Sequence, residues 1–254
     1  LVLSLPSTAK ASSGLGDGTA LNPYRITTCA DLNDLNGSSS HFALMNNIDC
    51  TGVTVTPAAT FPGTLDGRNL TIDKLTITSV GDNVGLINWL NGGKVENLKI
   101  TNSAITGRNY VGTIASQVNA SSTISNVSVS GDVTGNIVAG GIVGLLAGGS
   151  TITKSSFNGN VTATTSNGGG IAGYVDTASI DNSYAQAVVT GGSILGLLAG
   201  TYNSADTFHN VSNSYVTGSV ENGTYRAALI GAISGAESLT ISNVLIAANA
   251  NGGP

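Results

Sequence analysis

The chain has 254 residues and a formal net charge of −5, with 9 Lys and Arg against 14 Asp and Glu. Charged residues make up only 9% of it, whereas ordinary globular chains contain roughly 25%. A surface so poor in Lys and Arg argues against nucleic-acid binding, which needs cations clustered around phosphates. No apolar run reaches the roughly 18 residues of a membrane-spanning helix, so we predict no membrane insertion.

The first segment, residues 1–16, follows none of the patterns found later in the chain. Its Ala-Lys-Ala sequence before Ser12 resembles a signal-peptide cleavage site, but neither an initiating Met nor a basic start precedes it. We interpret residues 1–16 as an N-terminal arm that packs on its surroundings, or as the end of a preceding stalk.

Residues 17–50 are predicted to form an N-terminal cap. Thr27 or Thr28 can cap a short helix in the sequence CADLNDLNG, with Asp31 in its first turn and Gly37 after its end. The leucines of this helix would cover the open end of the first coil, where strand edges are otherwise unpaired.

The remainder, residues 51–254, repeats with a period of about 28 residues. One column has Ile or Val, then any residue, then Asn or Lys, and it begins at Ile72, Val95, Ile124, Ile152, Ile180, Val211 and Ile241. A second column marks a glycine-rich turn at Asn88, Ser116, Gly144, Gly173, Gly196 and Gly231. Two columns that share one period are typical of a repeat architecture.

Each repeat consists of short runs of Val, Ile, Thr and Ser between Gly and Asn, which favour strands and turns. Such short strands bury their apolar side only when successive copies stack. We therefore predict an all-β fold, a right-handed parallel β-helix (solenoid) of about seven coils, with the Asn column bonded along the stack. Asp66-Gly67 predicts a tight turn in the first coil. The alternative, a β-sandwich, does not explain the period.

The repeats resemble the GLUG-motif repeat family of bacterial secreted and cell-surface proteins. The resemblance is carried by NPYRITTCADL at 22–32, FALMNNIDC at 42–50, FPGTLDGRNLTI at 61–72 and VGLI at 84–87. It extends over about residues 17–246, with departures at Asn88 and Ser116, where the family has glycine. Members are mostly parts of large adhesins and other surface proteins, so the resemblance implies a module without chemistry of its own.

The resemblance also bears on the two cysteines, because the family has neighbouring apolar residues at the positions of Cys29 and Cys50. It thereby implies a disulfide in the cap, worth about 3 kcal/mol, and an oxidising, extracellular compartment. Two buried free thiols are the alternative. These cysteines and the distant His41 and His209 lack metal-ligand spacing, so we predict neither a metal nor a cofactor.

An insertion interrupts the period between Ala199 and Asn210, in the sequence AGTYNSADTFHN. Counted from Gly196, the Asn column follows after 17 residues instead of the usual nine or ten. Loops on a rigid scaffold often carry binding, so this loop is a candidate binding site. The alternative is a structural loop that shields a neighbouring groove.

The C-terminal sequence ISNVLIAANANGGP contains no capping segment, so we expect its last strand to be open unless the chain continues or another chain covers it. The segments GLLAGG, ILGLLAG and AALIGAISG hold more apolar residues than one inward face needs. They favour either a homo-oligomer, above all a trimer, or a fully buried interior.

Enzymatic activity requires a defined set of side chains, and the sequence offers little of the kind. Asp73, Glu96 and Asp181 are predicted to share one column, but Ser125 and Thr153 intervene, so this column does not guarantee the close carboxylate pair that a glycosidase needs. Signatures of nucleotide sites, zinc proteases and Ser-His-Asp hydrolases are absent. We predict no catalytic residue and no enzymatic activity.

Recognition is therefore the predicted function, since sugars and proteins bind aromatic platforms beside amides and hydroxyls. The candidate ligand-binding residues are Trp89, Tyr110, Tyr202, Asp206, Phe208, His209, Tyr225 and Arg226. We expect an extracellular, non-catalytic adhesin or fibre-tip module that contacts glycan or protein on another cell. A polysaccharide-active enzyme and a passive spacer of a larger surface protein are the alternatives.

Overall fold

A computed structural model describes residues 15–203, 209–235 and 239–249. In this part the chain forms a parallel β-helix of about seven coils with one 3₁₀ helix, Cys29–Leu35, in its cap, which confirms the predicted fold. Its strands are β1 (Tyr24–Ile26), β2 (His41–Leu44), β3 (Ile48–Asp49), β4 (Thr64–Asp73), β5 (Thr76–Thr78), β6 (Asn83–Val84), β7 (Ile87–Asn91), β8 (Lys94–Thr106), β9 (Tyr110–Gly112), β10 (Ala115–Asn119), β11 (Thr123–Gly135), β12 (Val138–Gly140), β13 (Val143–Ala147), β14 (Thr151–Thr153), β15 (Ser156–Ala163), β16 (Asn167–Gly169), β17 (Ala172–Asp176), β18 (Ser179–Asp181), β19 (Tyr184–Gly191), β20 (Ile194–Gly196), β21 (Ala199–Asn203), β22 (His209–Ser212), β23 (Tyr215–Glu221), β24 (Tyr225–Ala227), β25 (Ile230–Ser234), β26 (Leu239–Ser242) and β27 (Leu245–Asn249).

The strands stack in three parallel sheets. Sheet A contains 15 strands and receives one long or two short strands from each coil. Sheet C (β6, β9, β12, β16, β20 and β24) and sheet B (β7, β10, β13, β17, β21 and β25) receive one strand each from six successive coils. A full coil therefore runs from sheet A through sheet C to sheet B, as β11, β12 and β13 do.

The core consists of ladders of identical or similar side chains. Ile124, Ile152 and Ile180 lie opposite one another in β11, β14 and β18, and all three are completely buried. A second ladder within sheet A is fully buried as well and runs from Ile72 through Ile100 to Val129 and Phe157. Stacking explains both the repeat in the sequence and the burial of these side chains, because each coil packs its apolar row against that of the preceding coil.

A left-handed turn separates the two halves of sheet A in each coil. Its residues have φ between 47° and 54°: Asn97, Asn126, Lys154, Asn182, Asn213 and Asn243. Asn tolerates this conformation better than other residues with a side chain. The Nδ2 of Asn126 donates to Oδ1 of Asn97 at 2.9 Å, and Asn243 donates to Asn213 at 3.1 Å. The predicted amide ladder therefore forms at these coils.

The sequence pattern assigns Ile72 to the same column as Val95, and the structure shows that this assignment is wrong. Val95 pairs with Leu65, whereas Ile72 pairs with Ile48 and Ile100 in the next half of the sheet. The predicted tight turn at Asp66-Gly67 lies inside the continuous strand β4, where the register with β8 shifts between Asp66 and Leu70. This bulge widens the turn that later coils make with one Asn.

The glycine column also needs a correction. Ala172 pairs with Ala199 and Ala199 with Ile230, so Gly200, and not Gly196, follows Gly173 in that column. The turn column at Asn213 then follows Gly200 after 13 residues, and the insertion is shorter than predicted. Its central residues, including Asp206 and Phe208, lie outside the described part of the chain.

The short helix and the disulfide predicted for the cap are both present. The backbone N–H groups of Thr27 and Thr28 donate to Oδ2 of Asp31 at 2.8 and 2.9 Å, which holds the start of the 3₁₀ helix. Cys29 and Cys50 form the predicted disulfide, with Cα atoms 5.3 Å apart. Both sulfur-bearing residues are buried, so the bond ties the helix to the end of β3 inside the cap.

The apolar segments of the later coils lie mainly in the interior. Leu146, Leu197 and Leu198 are completely buried, while Leu145 is half-buried and Ile233 is exposed. Burial within the coil accounts for most of this stripe, and a trimer stays a prediction. Residues 1–14 of the predicted arm lie outside the described residues.

Candidate functional site

The outward row of sheet B carries two large aromatic side chains. Register aligns Trp89, Gln117, Leu145, Tyr174 and Thr201 on consecutive strands. Side chains alternate between the two faces of a strand, and Val118 and Val175 in the next row are fully buried. Trp89 is 44% exposed, so its ring is available on this face.

The outward rows of sheets C and B meet at this point. Tyr110 follows Asn83 in the row of sheet C. Asn83 accepts a hydrogen bond at its Oδ1 from Nε2 of Gln117 on sheet B, at 2.8 Å. The amides of Asn83 and Gln117 thus lie between Trp89 and Tyr110, in the arrangement of aromatic rings beside amides that recognition sites use.

Tyr174 belongs to the same surface. Partial burial raises the pKa of its phenol, with the neighbouring Asp176 carboxylate and then Tyr110 adding to the effect. The phenol therefore stays protonated and neutral at physiological pH and can donate a hydrogen bond. The carboxylate of Asp176 accepts a hydrogen bond from Nδ2 of Asn203 at 3.0 Å, and this bond connects it to the next coil. We call Trp89, Tyr110, Tyr174, Asn83 and Gln117 the aromatic surface.

Two other candidate residues lie inside the β-helix. Tyr202 has no exposed surface, and its hydroxyl donates to the carbonyl oxygen of Ala178. Burial raises the pKa of the Tyr202 phenol. His209 is also buried, and burial lowers the pKa of its imidazole against the opposing field of Asp176. Neither ring is available to a ligand at the surface.

The last two candidates lie at the C-terminal end of sheet C. Tyr225 is 63% exposed on β24, beside Arg226. Four strand steps separate Tyr225 from Tyr110 along this sheet, which corresponds to about 19 Å. The structure therefore places Trp89 and Tyr110 on neighbouring coils and leaves Tyr225 and Arg226 several coils away from them. Asp206 and Phe208 lie outside the described residues.

Three members of the aromatic surface were missed at the sequence level, namely Tyr174, Gln117 and Asn83. The repeat contains the signal that finds the first two, because Gln117 and Tyr174 occupy the row of Trp89 at one and three coils' distance. Asn83 belongs to the row of Tyr110 in the same way.

The three carboxylates predicted to share one column, Asp73, Glu96 and Asp181, do not come together in the structure. Asp66 and Glu96 are neighbours in one row of sheet A, and Asp181 lies three strands beyond Glu96 in that row. Asp73, predicted to share this row, instead pairs with Asp49 and Thr101. Within the described residues no group of three or more His, Cys, Asp or Glu side chains is arranged to hold a metal ion.

Within the described part of the chain, none of the helical structure has the length and apolarity needed to cross a bilayer.

Stacked parallel coils behind a short helical cap define the class of this protein as a parallel β-helix. Residues 34–131 match the sequence profile of the family described as M26 IgA1-specific metallo-endopeptidase N-terminal region. Halomucin of Haloquadratum walsbyi is 35% identical over 115 residues, which cover 39% of this chain and 1% of halomucin. The chain thus spans a very small part of this curated relative.

Two solved structures share the fold. One is a protein proposed to be an immunoglobulin A1 protease from Bacteroides ovatus, with a TM-score of 0.69 and 22% identity over 90% of this chain and 76% of that one. The other is described as IgA1 protease, with a TM-score of 0.70 and 24% identity over 89% of this chain and 19% of that one. At these identities the likeness establishes the fold alone.

These matches correct the function expected from the sequence. The matching profile describes a region of a metallo-endopeptidase, and this overturns the expectation of a non-catalytic adhesin or fibre tip. The expectation was wrong because one fold occurs in proteins with different functions, so the fold alone does not determine the function.

Proposed function

We propose that this chain is a recognition module of an extracellular metallo-endopeptidase-type protein, and that it binds the protein substrate without cleaving it. The observation that carries the proposal is the match of residues 34–131 to the N-terminal region of such a family. The family description specifies IgA1, so immunoglobulin A1 is the first substrate to test. A GLUG-type origin of the repeats remains part of this proposal.

The aromatic surface is the proposed contact area. Trp89 and Tyr174 present rings on sheet B, and the amides of Asn83 and Gln117 lie beside them. Trp89, Asn83 and Gln117 carry no charged group, and the raised pKa of Tyr174 keeps its phenol neutral at physiological pH. Neutral rings with adjacent amides suit a polar, uncharged partner such as a glycosylated or hydroxyl-rich protein segment. The Cys29–Cys50 disulfide supports an oxidising compartment.

We assign hydrolysis to another part of the protein. Zinc peptidases use closely spaced His and carboxylate ligands, typically in a His-Glu-x-x-His helix. The sequence contains only 2 histidines, His41 and His209, and neither belongs to such a motif. The matched family is described as the N-terminal region of the metallo-endopeptidase.

Surface plasmon resonance with immobilised chain and soluble IgA1 tests the proposal, with IgG as the comparison ligand. We expect selective binding of IgA1, and we expect Trp89→Ala and Tyr174→Ala each to weaken it by at least tenfold. Tyr184→Ala is the matched control, because Tyr184 is 48% exposed on β19 of sheet A, away from the aromatic surface. Its affinity should stay within twofold of the parent chain.

Incubation of IgA1 with the chain and added Zn²⁺, followed by electrophoresis, tests the assignment of hydrolysis. Intact heavy chains are expected. Cleavage products would show that the chain is itself a peptidase. Equal binding of IgA1 and IgG, or no binding, would reject the recognition role and favour a passive spacer.

A further inference from the structure

The chain takes a shortcut at the start of the β-helix. Cys50 is still in register, because its N–H donates to the carbonyl oxygen of Asp73 at 2.8 Å. The chain then leaves the stack and rejoins it at Ala58, which pairs with Ile87. Seven residues, 51–57, connect these points, whereas the next coil uses twelve residues between Lys74 and Ile87. The shortcut therefore omits the strands that would cover β5 and β6.

Two strand edges are left open as a result. In the described residues β5 pairs with β8 alone and β6 with β9 alone. The carbonyl of Leu75 accepts from Ala104 N–H, and Ser79 N–H donates to Thr106. Backbone groups of successive residues in a parallel strand point to opposite sides. The N–H and C=O groups of Thr76 and Thr78 consequently face away from β8.

A cleft of about 750 Å³ lies at this open edge. Its lining includes Thr76, Thr78 and Asn83 together with residues 52–57. No charged side chain contributes to the lining. Asn88 also lines the cleft, and its Oδ1 is buried without a hydrogen-bond partner in the described structure. The lining thus consists of neutral polar and apolar groups, without a charge that would attract an ionic ligand.

We infer that this cleft binds an extended, uncharged peptide segment of a partner protein, which adds to β5 as a parallel strand. Open edges pair readily with other chains, and peptide recognition by strand addition relies on backbone hydrogen bonds of this kind. The inference stands apart from the function proposed above, because the cleft and the aromatic surface are different places that can be tested separately.

The ladder of the following coils defines which peptide fits. The middle residue of β5, Ile77, continues as Ile105, Val133, Val161 and Val189, all buried. The next position is threonine on the same five strands: Thr78, Thr106, Thr134, Thr162 and Thr190. An added strand should therefore present Val or Ile inward and Thr directly after it.

The probe is the acetylated and amidated peptide GNVTATT, copied from residues 159–165, where Val161 and Thr162 occupy these two positions. Titration of the whole chain, followed by amide NMR spectroscopy, should shift the resonances of Thr76, Thr78 and Asn83. Shifts confined to other residues, or no binding, would overturn the inference.

N-methylation of the peptide tests the strand register. The bonds between β5 and β8 indicate which backbone N–H groups of the peptide face β5. The N–H groups of its third residue, Val, and its fifth residue, Ala, donate to β5. The N–H groups of its second residue, Asn, and its fourth residue, Thr, point away from β5. Methylation at Val and Ala should abolish binding, and methylation at Asn and Thr should change the affinity less than threefold. Equal effects of the two patterns would exclude strand addition. This comparison needs no change to the protein.

Substitution of the edge provides the second test. Thr78→Pro removes an N–H that faces the cleft and no bond to β8, and proline is tolerated on such edges. We expect at least tenfold weaker peptide binding, whereas Thr78→Val, which keeps the N–H, should bind normally. Unchanged binding by Thr78→Pro contradicts the inference. If instead Thr78→Pro changes the sedimentation coefficient of the chain alone, a second copy occupies the edge and the peptide proposal fails.

Discussion

The hydroxyl of Ser183 accepts a hydrogen bond from the backbone N–H of Ser155, one coil earlier, at 3.2 Å. The same hydroxyl donates to the carbonyl oxygen of Asp181 at 2.8 Å within its own coil. Val127 N–H bonds Ser155, and Ser183 N–H bonds Ser214, in the same way. In three successive coils a buried serine, Ser155, Ser183 or Ser214, thus bonds to the preceding coil directly after the left-handed turn, where the strand ladder is interrupted.

Ser183→Ala should destabilise the protein by about 1–3 kcal/mol, because it leaves the buried N–H of Ser155 without an acceptor. Urea unfolding followed by circular dichroism measures this loss. The control is Ser125→Ala, a half-buried serine of sheet A, which should change stability by less than about 0.5 kcal/mol. Equal losses for both variants would show that the bond between coils contributes nothing specific.

Lys154 interrupts the amide ladder of the left-handed turns. It has φ of 49° and lies between Asn126 and Asn182, which have φ of 54° and 47°. Lys154→Asn should stabilise the protein by about 0.5–1 kcal/mol, since Asn adopts this conformation with less strain. Thermal melting measures the gain. Lys154→Ala removes the same charge without supplying an amide, so it should not raise the melting temperature. A raised melting temperature in Lys154→Ala would show that loss of the charge causes the effect.

The period was sufficient to predict the β-helix, because stacking is the way that such short strands bury their apolar rows. The period did not give the correct strand register of the first coils, because the turn at Lys74 resembles the turn at Asn97 in sequence. Ile72-Asp73-Lys74 matches the pattern at Val95-Glu96-Asn97, and Lys74 and Asn97 both adopt left-handed φ, 56° and 52°. The first coils contain two such turns, and one sequence pattern describes both.

Prediction of the candidate site was incomplete for a similar reason. Composition identifies aromatic residues one at a time and does not assign them to the two faces of their strands. Tyr202 follows Val175 in the buried row of sheet B, and Tyr174 follows Trp89 in the outward row. If Gly200 instead of Gly196 is aligned with Gly173, the period gives the correct strand register. That register places Tyr202 in the buried row and Tyr174 in the outward row. The shortcut at residues 51–57 leaves no such signal, since it departs from the period.

Acid should weaken a contact between coils at Asp73. The hydroxyl of Thr101 and then the amide of Asn102, at 2.6 and 2.7 Å, lower the pKa of this carboxyl below its ordinary value of 3.8. A lowered folded-state pKa stabilises the fold above the unfolded value, and this contribution is lost as pH falls through the folded value. Carbon-13 NMR titration of Asp73 should give a pKa below 3.8.

Thr101→Val is the matching variant, because it removes the donor with the largest effect on Asp73. We expect the pKa of Asp73 to rise towards its ordinary value, and the stability difference between parent and variant to shrink between pH 5 and pH 3. An unchanged pKa in Thr101→Val would assign the shift to Asn102 and Lys74 instead.

Reduction of the disulfide should loosen the cap and leave the coils folded. Cys29 and Cys50 are 21 residues apart, and a loop of this size is worth about 3 kcal/mol through the entropy of the unfolded chain. We expect a reductant to lower the melting temperature of the parent chain, with early loss of hydrogen-exchange protection at Leu32 and Leu35. The double variant Cys29→Ala, Cys50→Ala should melt at that lower temperature with or without reductant. If reductant lowers the melting temperature of the double variant equally, the effect does not come from this bond.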